Sequence, residues 1–460
     1  DWHAAFPGIM KRGGFDCVIG NPPYLNVDDV WGKSDKRLEY LNLRYSKIYN
    51  DKTDLFFYFL YLGLQLARSQ VGMIVSRAFL EGYKADKLRL YLKDNYHVSE
   101  IVDFRDYQVF NGVGIATAIV VLDKINFKGK TKVYHFNKRN EVPNLFEKPA
   151  EQFSQFSADI TRMKKVWSFG TKDRNDIFDK IDKCGVPICR FLHIGKGMET
   201  GANKVFGNKV ENDIERLNVP NGKIRFRASN SDIQRYNLRN RGEFLLWLDD
   251  VKRFSDLPNP LQAYLKSESK KLKERAAFKR GDCEWWKFTW PLHREFYNRP
   301  KILCPYLAQS NRFALDEKKE FIGLTDTTVL FDTKQNEALK YFLGLLNSKL
   351  LDFRYKGFAK LKGGGVFEYF WNSIQHIPIR SIDFDKSADV AKHDKMVHLV
   401  ERMLELNKRK ASEKNPNVLN RIESDIAATD KQIDRLVYKL YDLTQKEIEI
   451  VEKSFSSGEG

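Results

Sequence analysis

The stretch Gly13-Gly-Phe-Asp-Cys-Val-Ile-Gly-Asn-Pro-Pro-Tyr24 decides the fold. Its centre, FDCVIG from Phe15, is a short apolar run with β-branched residues that ends in glycine, which reads as a buried strand. Two prolines then stop the strand, because neither can donate to a ladder and both fix φ. Outward from it the same alternation continues. Asp54 to Ala67 (DLFFYFLYLGLQLA) is long enough for a helix apolar nearly all round, and Val71 to Ser76 (VGMIVS) follows as a second buried strand. Lys84 to Lys93 predicts a basic helix with Leu at helical spacing. His97 to Phe104 and Ile115 to Asp123 are two β-rich runs close enough to pair, joined by a loop through Gly112 and Gly114. Strands alternating with helices predict an α/β sheet, here with a hairpin at one edge.

Asn21-Pro22-Pro23-Tyr24 also suits a particular chemistry. An exocyclic amine on a nucleobase is a poor nucleophile, since its lone pair is delocalised into the ring. An Asn21 side-chain oxygen and the Pro22 carbonyl offer two acceptors that would hold both amine protons and localise the lone pair. Tyr24 would stack on the base, and the prolines would restrict the loop to one shape. A base within a duplex cannot reach such a pocket, so it must be flipped out. Read as structure alone, the string is a rigid turn.

Length and charge set the context. The 460 residues predict two or three domains, and 33 Phe, 20 Tyr and 8 Trp supply ample apolar surface for cores. No run of about 18 apolar residues occurs, which excludes a spanning helix. The net charge of +17 points to a polyanionic partner. It is uneven: residues 190–385 hold 35 basic and 24 acidic side chains, whereas residues 386–460 hold 14 of each. Five cysteines without a CxxC pair and eight scattered histidines give no support to a metal site, and a reduced, cytoplasmic compartment is the simplest reading.

Beyond about residue 150 the strand–helix rhythm stops. Residues 151–385 mix short strands with turns and a Trp-rich stretch (Trp285, Trp286, Trp290), with amphipathic helices expected at Pro260 to Arg275 and Asn336 to Phe353. This section reads as α+β. Residues 386–460 space Met396, Leu399, Met403 and Leu406, then Ile433, Leu436, Val437 and Leu440, as helical faces broken near Asn415-Pro416, which predicts a helical hairpin. The expected domains are therefore 1–150, 151–385 and 386–460. The glycine strings GKGMETG (Gly195 to Gly201) and KGGG (Lys362 to Gly365) fit neither GxGxxG nor GxxxxGK[ST] and read as turns.

On these motifs the chain resembles the γ-class amino-group, adenine-specific DNA methyltransferases with a TaqI-like C-terminal specificity domain, as in Type IIG restriction–modification enzymes. Gly13–Tyr24 looks like their motif IV, the helix from Asp54 like motif V, Val71–Gly82 like motif VI, and Phe104–Lys124 like motifs VII and VIII. Ile194–Phe206, Ser231–Tyr236, Arg299–Tyr306 and Leu343–Phe353 resemble the target-recognition domain, and Ile433–Glu452 the helical close of the same proteins. The resemblance implies a Rossmann-like sheet and a catalytic set of Asn21, Pro22, Pro23, Tyr24 and Phe110, with Phe110 the second wall of the adenine pocket. It also implies S-adenosylmethionine as methyl donor, with Asp54 and Phe56 lining part of its site. Double-stranded DNA would be the partner, through Lys196, Lys204, Arg225, Arg227, Arg235, Arg312 and Lys362. The family's donor-binding strand and glycine turn have no counterpart in residues 1–20 or 386–460. The reading therefore expects a C-terminal portion, or one part of a split enzyme, whose cofactor site and nuclease lie on a missing region or a separate chain. Two alternatives remain: a sequence-specific DNA-binding module without turnover of its own, and methylation of RNA or of a protein glutamine.

Overall fold

The computed structural model describes residues 1–460 except 33–34, 51–52, 106, 111, 113, 125–128, 137–152, 164–166, 168, 170–171, 208, 334–335, 363–364 and 457–460. Gly363 and Gly364 of the second glycine string thus lie outside the described residues. The chain forms two compact units: residues 1–175 with 356–367, and residues 176–355 with 368–460.

The first unit is built on a six-stranded sheet of order β1-β2-β4-β3-β5-β6. Its strands are β1 (Phe15–Gly20), β2 (Ala67–Ser76), β3 (His97–Asp103), β4 (Thr117–Asp123), β5 (Thr131–Phe136) and β6 (Phe153–Ala158). The pairs β1·β2 and β3·β5 are parallel, while β2·β4, β3·β4 and β5·β6 are antiparallel. Strands β1, β2, β3 and β5 consequently share one direction, and their C-terminal ends lie along one edge of the sheet. Open α/β sheets place their ligand crevice at that edge. The β3–β4 hairpin was expected at a margin. It occupies the interior instead, because β4 inserts between β2 and β3 and β5 and β6 extend the sheet beyond them.

Helix α1 (Phe56–Leu66) covers one face. Phe56, Leu60 and Leu64 pack with Val71, Met73 and Val75 into the core, which helix α2 (Asp86–Asn95) closes with Leu88 and Leu92. Gly63 permits this approach, since a Cβ there would sit 2.9 Å from Met73 Cε and 3.3 Å from Val71 Cγ1. Strand β1 departs from the expected buried strand. Among the described residues it is paired on one side only, and Ile19, on the face away from α1, is 87% exposed.

The second unit carries a four-stranded antiparallel sheet and a three-stranded sheet. Its labelled elements, in chain order, are β7 (Leu192–Lys196), β8 (Ile224–Ala228), β9 (Phe244–Leu246), α3 (Asn259–Ser267), α4 (Ser269–Glu274), β10 (Lys301–Pro305), β11 (Ala314–Asp316), β12 (Phe321–Gly323), β13 (Thr327–Asp332) and α5 (Leu339–Leu346). The first sheet runs β11-β10-β13-β7 and the second β9-β8-β12. The helix expected over 260–275 is divided at Glu268, and that expected over 336–353 at Asn347-Ser348. Three helices, not two, end the chain: α6 (Ser387–Ser412), α7 (Pro416–Leu440) and α8 (Gln445–Ser456). The turn into α8 needs Asp442 at φ 53°, a left-handed conformation that aspartate tolerates better than most residues.

The expected boundaries shift for two reasons. Residues 153–158 add β6 to the first sheet, which carries the first unit past residue 150. The terminal helices pack on α5, where a Cβ on Gly344 would meet Met396 and Val400, so they belong to the core of the second unit and form no separate body. The GKGMETG string leaves β7 against the chain between β12 and β13, with Gly197 N–H on the Thr327 carbonyl and Met198 N–H on the Gly323 carbonyl. A Cβ on Gly197 would lie 1.9 Å from the Leu324 carbonyl oxygen, so close backbone approach dictates that glycine.

Candidate active site

Asn21-Pro22-Pro23-Tyr24 leaves β1 at the shared C-terminal edge as irregular backbone. Pro22 is buried, Asn21 and Pro23 are exposed and Tyr24 is half-buried. The loop is pinned just beyond Tyr24: Leu55 N–H donates to the Leu25 carbonyl at 2.8 Å and Val27 N–H to the Thr53 carbonyl at 3.0 Å. This short antiparallel pairing places Asp54 opposite Asn26. The Tyr24 ring meets Phe56 edge-on, with centroids 6.2 Å apart, and its hydroxyl donates to Asn21 Oδ1 at 3.2 Å. Burial pushes the Tyr24 phenol up to about 12, so it remains a donor at neutral pH.

The two residues considered for the cofactor differ in setting. Burial raises the Asp54 carboxyl above its ordinary range, partly offset by Lys84 and Lys360. Phe56 is fully buried between Phe57, Phe79 and Tyr24. One carboxyl and one ring enclosed in the core do not form a cradle for S-adenosylmethionine, so these residues fit at most the margin of such a site.

Phe110 lies half-buried in the loop that joins β3 to β4, on the same edge as the Asn21 loop. Both ends of that loop are held by Arg77, the residue after β2. Its N–H donates to the Ala116 carbonyl at 2.8 Å, while its guanidinium binds Asp103 at 2.7 and 3.1 Å and Glu81 at 2.8 and 2.9 Å. Asp103 in turn accepts from Arg105 N–H at 2.9 Å, with Arg105 in the left-handed region at φ 55°. The Arg105 guanidinium reaches His135 Nδ1 at 3.1 Å. Burial works against ionising Asp103, yet the Arg77 charge wins and holds it below the usual carboxylate range. Burial lowers His135 to about 4. Sequence inspection missed this network because its members are distant in sequence; the Arg77/Glu81 spacing of one helical turn was the available signal.

The residues considered for DNA contact differ in their surroundings. Arg235 is committed within the protein, donating to Asp430 of α7 at 2.7 and 3.0 Å and to the Asn347 carbonyl at 2.7 Å. Arg227 pairs with Glu243 at 3.7 Å and Lys196 with Glu199 at 3.8 Å. Arg225 and Arg227 project from one face of β8, Arg225 donating to the Ile224 carbonyl at 2.8 Å. Arg312 is half-buried, and burial lowers its guanidinium below its ordinary value. Lys204 is exposed. Lys362 lies in 356–367, which clusters with the first unit.

The Asn-Pro-Pro-Tyr loop thus stands at the C-terminal edge of an α/β sheet, where open sheets of this class hold their ligands. In comparison with known proteins, residues 1–110 match the model of the Eco57I restriction-modification methylase and residues 230–379 that of the TaqI-like C-terminal specificity domain. The chain is 25% identical over 336 residues to the Type II methyltransferase M.BstVI of Geobacillus stearothermophilus, covering 66% of this chain and 56% of that protein. It is 22% identical over 489 residues to the Type II restriction enzyme and methyltransferase RM.Eco57I of Escherichia coli, covering 95% of this chain and 47% of that one. The chain thus spans about half the length of these relatives. Its fold matches the solved Type IIL restriction-modification enzyme MmeI in complex with DNA, with a TM-score of 0.68 at 12% identity over 99% of this chain and 58% of the other.

Proposed function

We propose that the chain is the base-pocket and target-recognition portion of an adenine-specific DNA methyltransferase of a restriction–modification system. The observation that carries this reading is the Asn21–Tyr24 loop at the edge of a mixed sheet where β1, β2, β3 and β5 end, within a segment that matches the Eco57I methylase model. In this reading Asn21 Oδ1 and the Pro22 carbonyl accept the two protons of a flipped-out adenine amine, which localises its lone pair. Tyr24 stacks on one side of the base. Phe110 supplies the other wall, its loop held at both ends by Arg77. The methyl group comes from S-adenosylmethionine, with Asp54 at the margin of that site. Methyl transfer to duplex DNA, followed by nucleoside analysis, tests the assignment. N6-methyladenine abolished by Asn21→Ala in the complete enzyme supports it; near-full activity of that variant rejects the role of Asn21.

A second reading is favoured by β1, which among the described residues is unpaired on one edge, and by the exposed Ile19 on its face away from α1. An unpaired strand edge with an exposed apolar side chain beside it is a surface that further strand or helix covers. We infer that further polypeptide, upstream or on a separate chain, completes this sheet and the cofactor site. By itself the chain is then a DNA-binding and specificity module without turnover. Donor transfer restored by adding that polypeptide separates the two readings.

A further inference from the structure

Residues 259–280, which form α3, α4 and the short helix Ala276–Lys279, contain seven basic and two acidic side chains. Glu268 is paired with Lys271 at 2.8 Å. Lys266, Lys270, Lys273 and Lys279 are exposed and have no carboxylate partner among the described residues. The first three recur at helical spacing along α3 and α4.

Beneath Lys266 and Lys273 lies an aromatic shelf. Lys266 sits 5.8 Å above the Phe254 ring and Lys273 5.6 Å above Trp285, and those two rings are themselves 4.9 Å apart. Lys287 lies 4.9 Å above the neighbouring Trp286. The ring faces hold the lysine stems upright and the ammonium groups in water.

Arg275 makes the arrangement rigid. Its guanidinium donates to the carbonyls of Leu272, Thr200 and Lys287 at 2.9 Å and of Trp285 at 2.8 Å, which ties the end of α4 to the segment carrying the two tryptophans. All of these acceptors are neutral, so the Arg275 charge adds to the field of the lysines.

We propose that Lys266, Lys270 and Lys273 form a preorganised ridge that contacts the phosphodiester backbone of duplex DNA. The inference rests on the DNA-directed reading above. It places the contact on residues that the motif comparison did not single out. Lys266 and Lys273 stand on either side of the turn at Glu268, over two rings whose centroids are 4.9 Å apart, which keeps both cations on one surface. A ridge that touches phosphates fixes position and affinity without reading sequence. The rings under Lys266 and Lys273 and the Arg275 ties that fix the backbone reduce the ordering that binding requires.

The test is the salt dependence of duplex binding by the full chain, comparing wild type with Lys266→Ala/Lys270→Ala/Lys273→Ala. A matched control, Lys408→Ala/Lys431→Ala/Lys439→Ala, removes three exposed lysines from α6 and α7 of the same unit. The ridge variant should lower the slope of log K against log salt by about 2 to 3, near 0.9 per phosphate contact, with an unchanged affinity ratio between target and non-target duplexes. The control should leave the slope in place. An unchanged slope in the ridge variant, or an equal loss in the control, overturns the ridge while leaving the DNA reading intact. A changed target ratio overturns backbone contact in favour of base reading. Failure of the folded wild-type chain to bind duplex DNA overturns the DNA reading itself and the ridge with it.

Discussion

The Tyr24 hydroxyl donates a hydrogen bond to Asn21 Oδ1 at 3.2 Å, occupying the acceptor that the proposed chemistry assigns to a base amine. The amide oxygen has two lone pairs, and the phenol takes one of them, so a bound amine shares Asn21 with a second donor. Tyr24→Phe keeps the stacking ring and removes the second donor. It should bind a duplex with adenine at the target position and 2-aminopurine beside it more tightly, by about 3- to 10-fold, the size of one net hydrogen bond. Fluorescence of that 2-aminopurine, unstacked when its neighbour is extruded, reads the effect, and weaker extrusion would show that the hydroxyl assists the base.

Asn21→Ala removes one of two preorganised acceptors at the reacting amine. In the complete enzyme the rate of methyl transfer should fall by about 100-fold or more while duplex affinity changes little. Single-turnover kinetics with labelled donor distinguishes the two quantities.

Breaking the Arg77 clamp should be costly. Arg77→Ala leaves Asp103 and Glu81 buried without their cation, for a loss of about 3 to 5 kcal/mol in unfolding free energy. Urea denaturation measures this. A loss below about 1 kcal/mol would mean that the three groups do not act as a unit.

His135 gives the first unit a defined acid sensitivity. Its folded pKa of about 4 is depressed below the ordinary 6.5, so the unfolded state binds the extra proton between those values. The neutral imidazole's contribution is complete above pH 6.5 and is lost as pH falls toward 4. The difference is on the order of 3 kcal/mol. His135→Gln should flatten the stability profile in that window, and an unchanged profile would assign the acid response to other groups.

Arg235 separates a structural cation from a nucleic-acid contact. Because its guanidinium is spent on Asp430 and the Asn347 carbonyl, Arg235→Ala should destabilise the second unit by roughly 1 to 2 kcal/mol, a figure discounted for partial exposure. The slope of DNA affinity against salt should stay constant. A slope that falls by about one would return Arg235 to the DNA surface.

Much of the first unit is legible in local sequence. The Phe15–Gly20 strand, the helix after Asp54 and the hairpin strands follow from periodicity and from proline and glycine punctuation, which act over a few residues. The terminal helices were legible for the same reason, although the short α8 needed the left-handed Asp442 turn to be recognised. Charge counting correctly marked residues 190–385 as the basic section. It could not say which cations are spent inside the protein, because Arg235 and Asp430 are 195 residues apart.

Sequence by itself determined the chemistry available to this protein: an amide oxygen, two prolines and a phenol placed directly after a strand, since all of these lie within one short segment. Tertiary structure decided where that chemistry stands. The order β1-β2-β4-β3 brings the Asn21 and Phe110 loops to one edge, leaves β1 with an unpaired side among the described residues, and lets Arg77 hold both ends of a loop far along the chain. The physical reason is that strand order and ion pairing depend on contacts between distant segments, whose closure is driven by burial of the whole sheet and leaves no local signature.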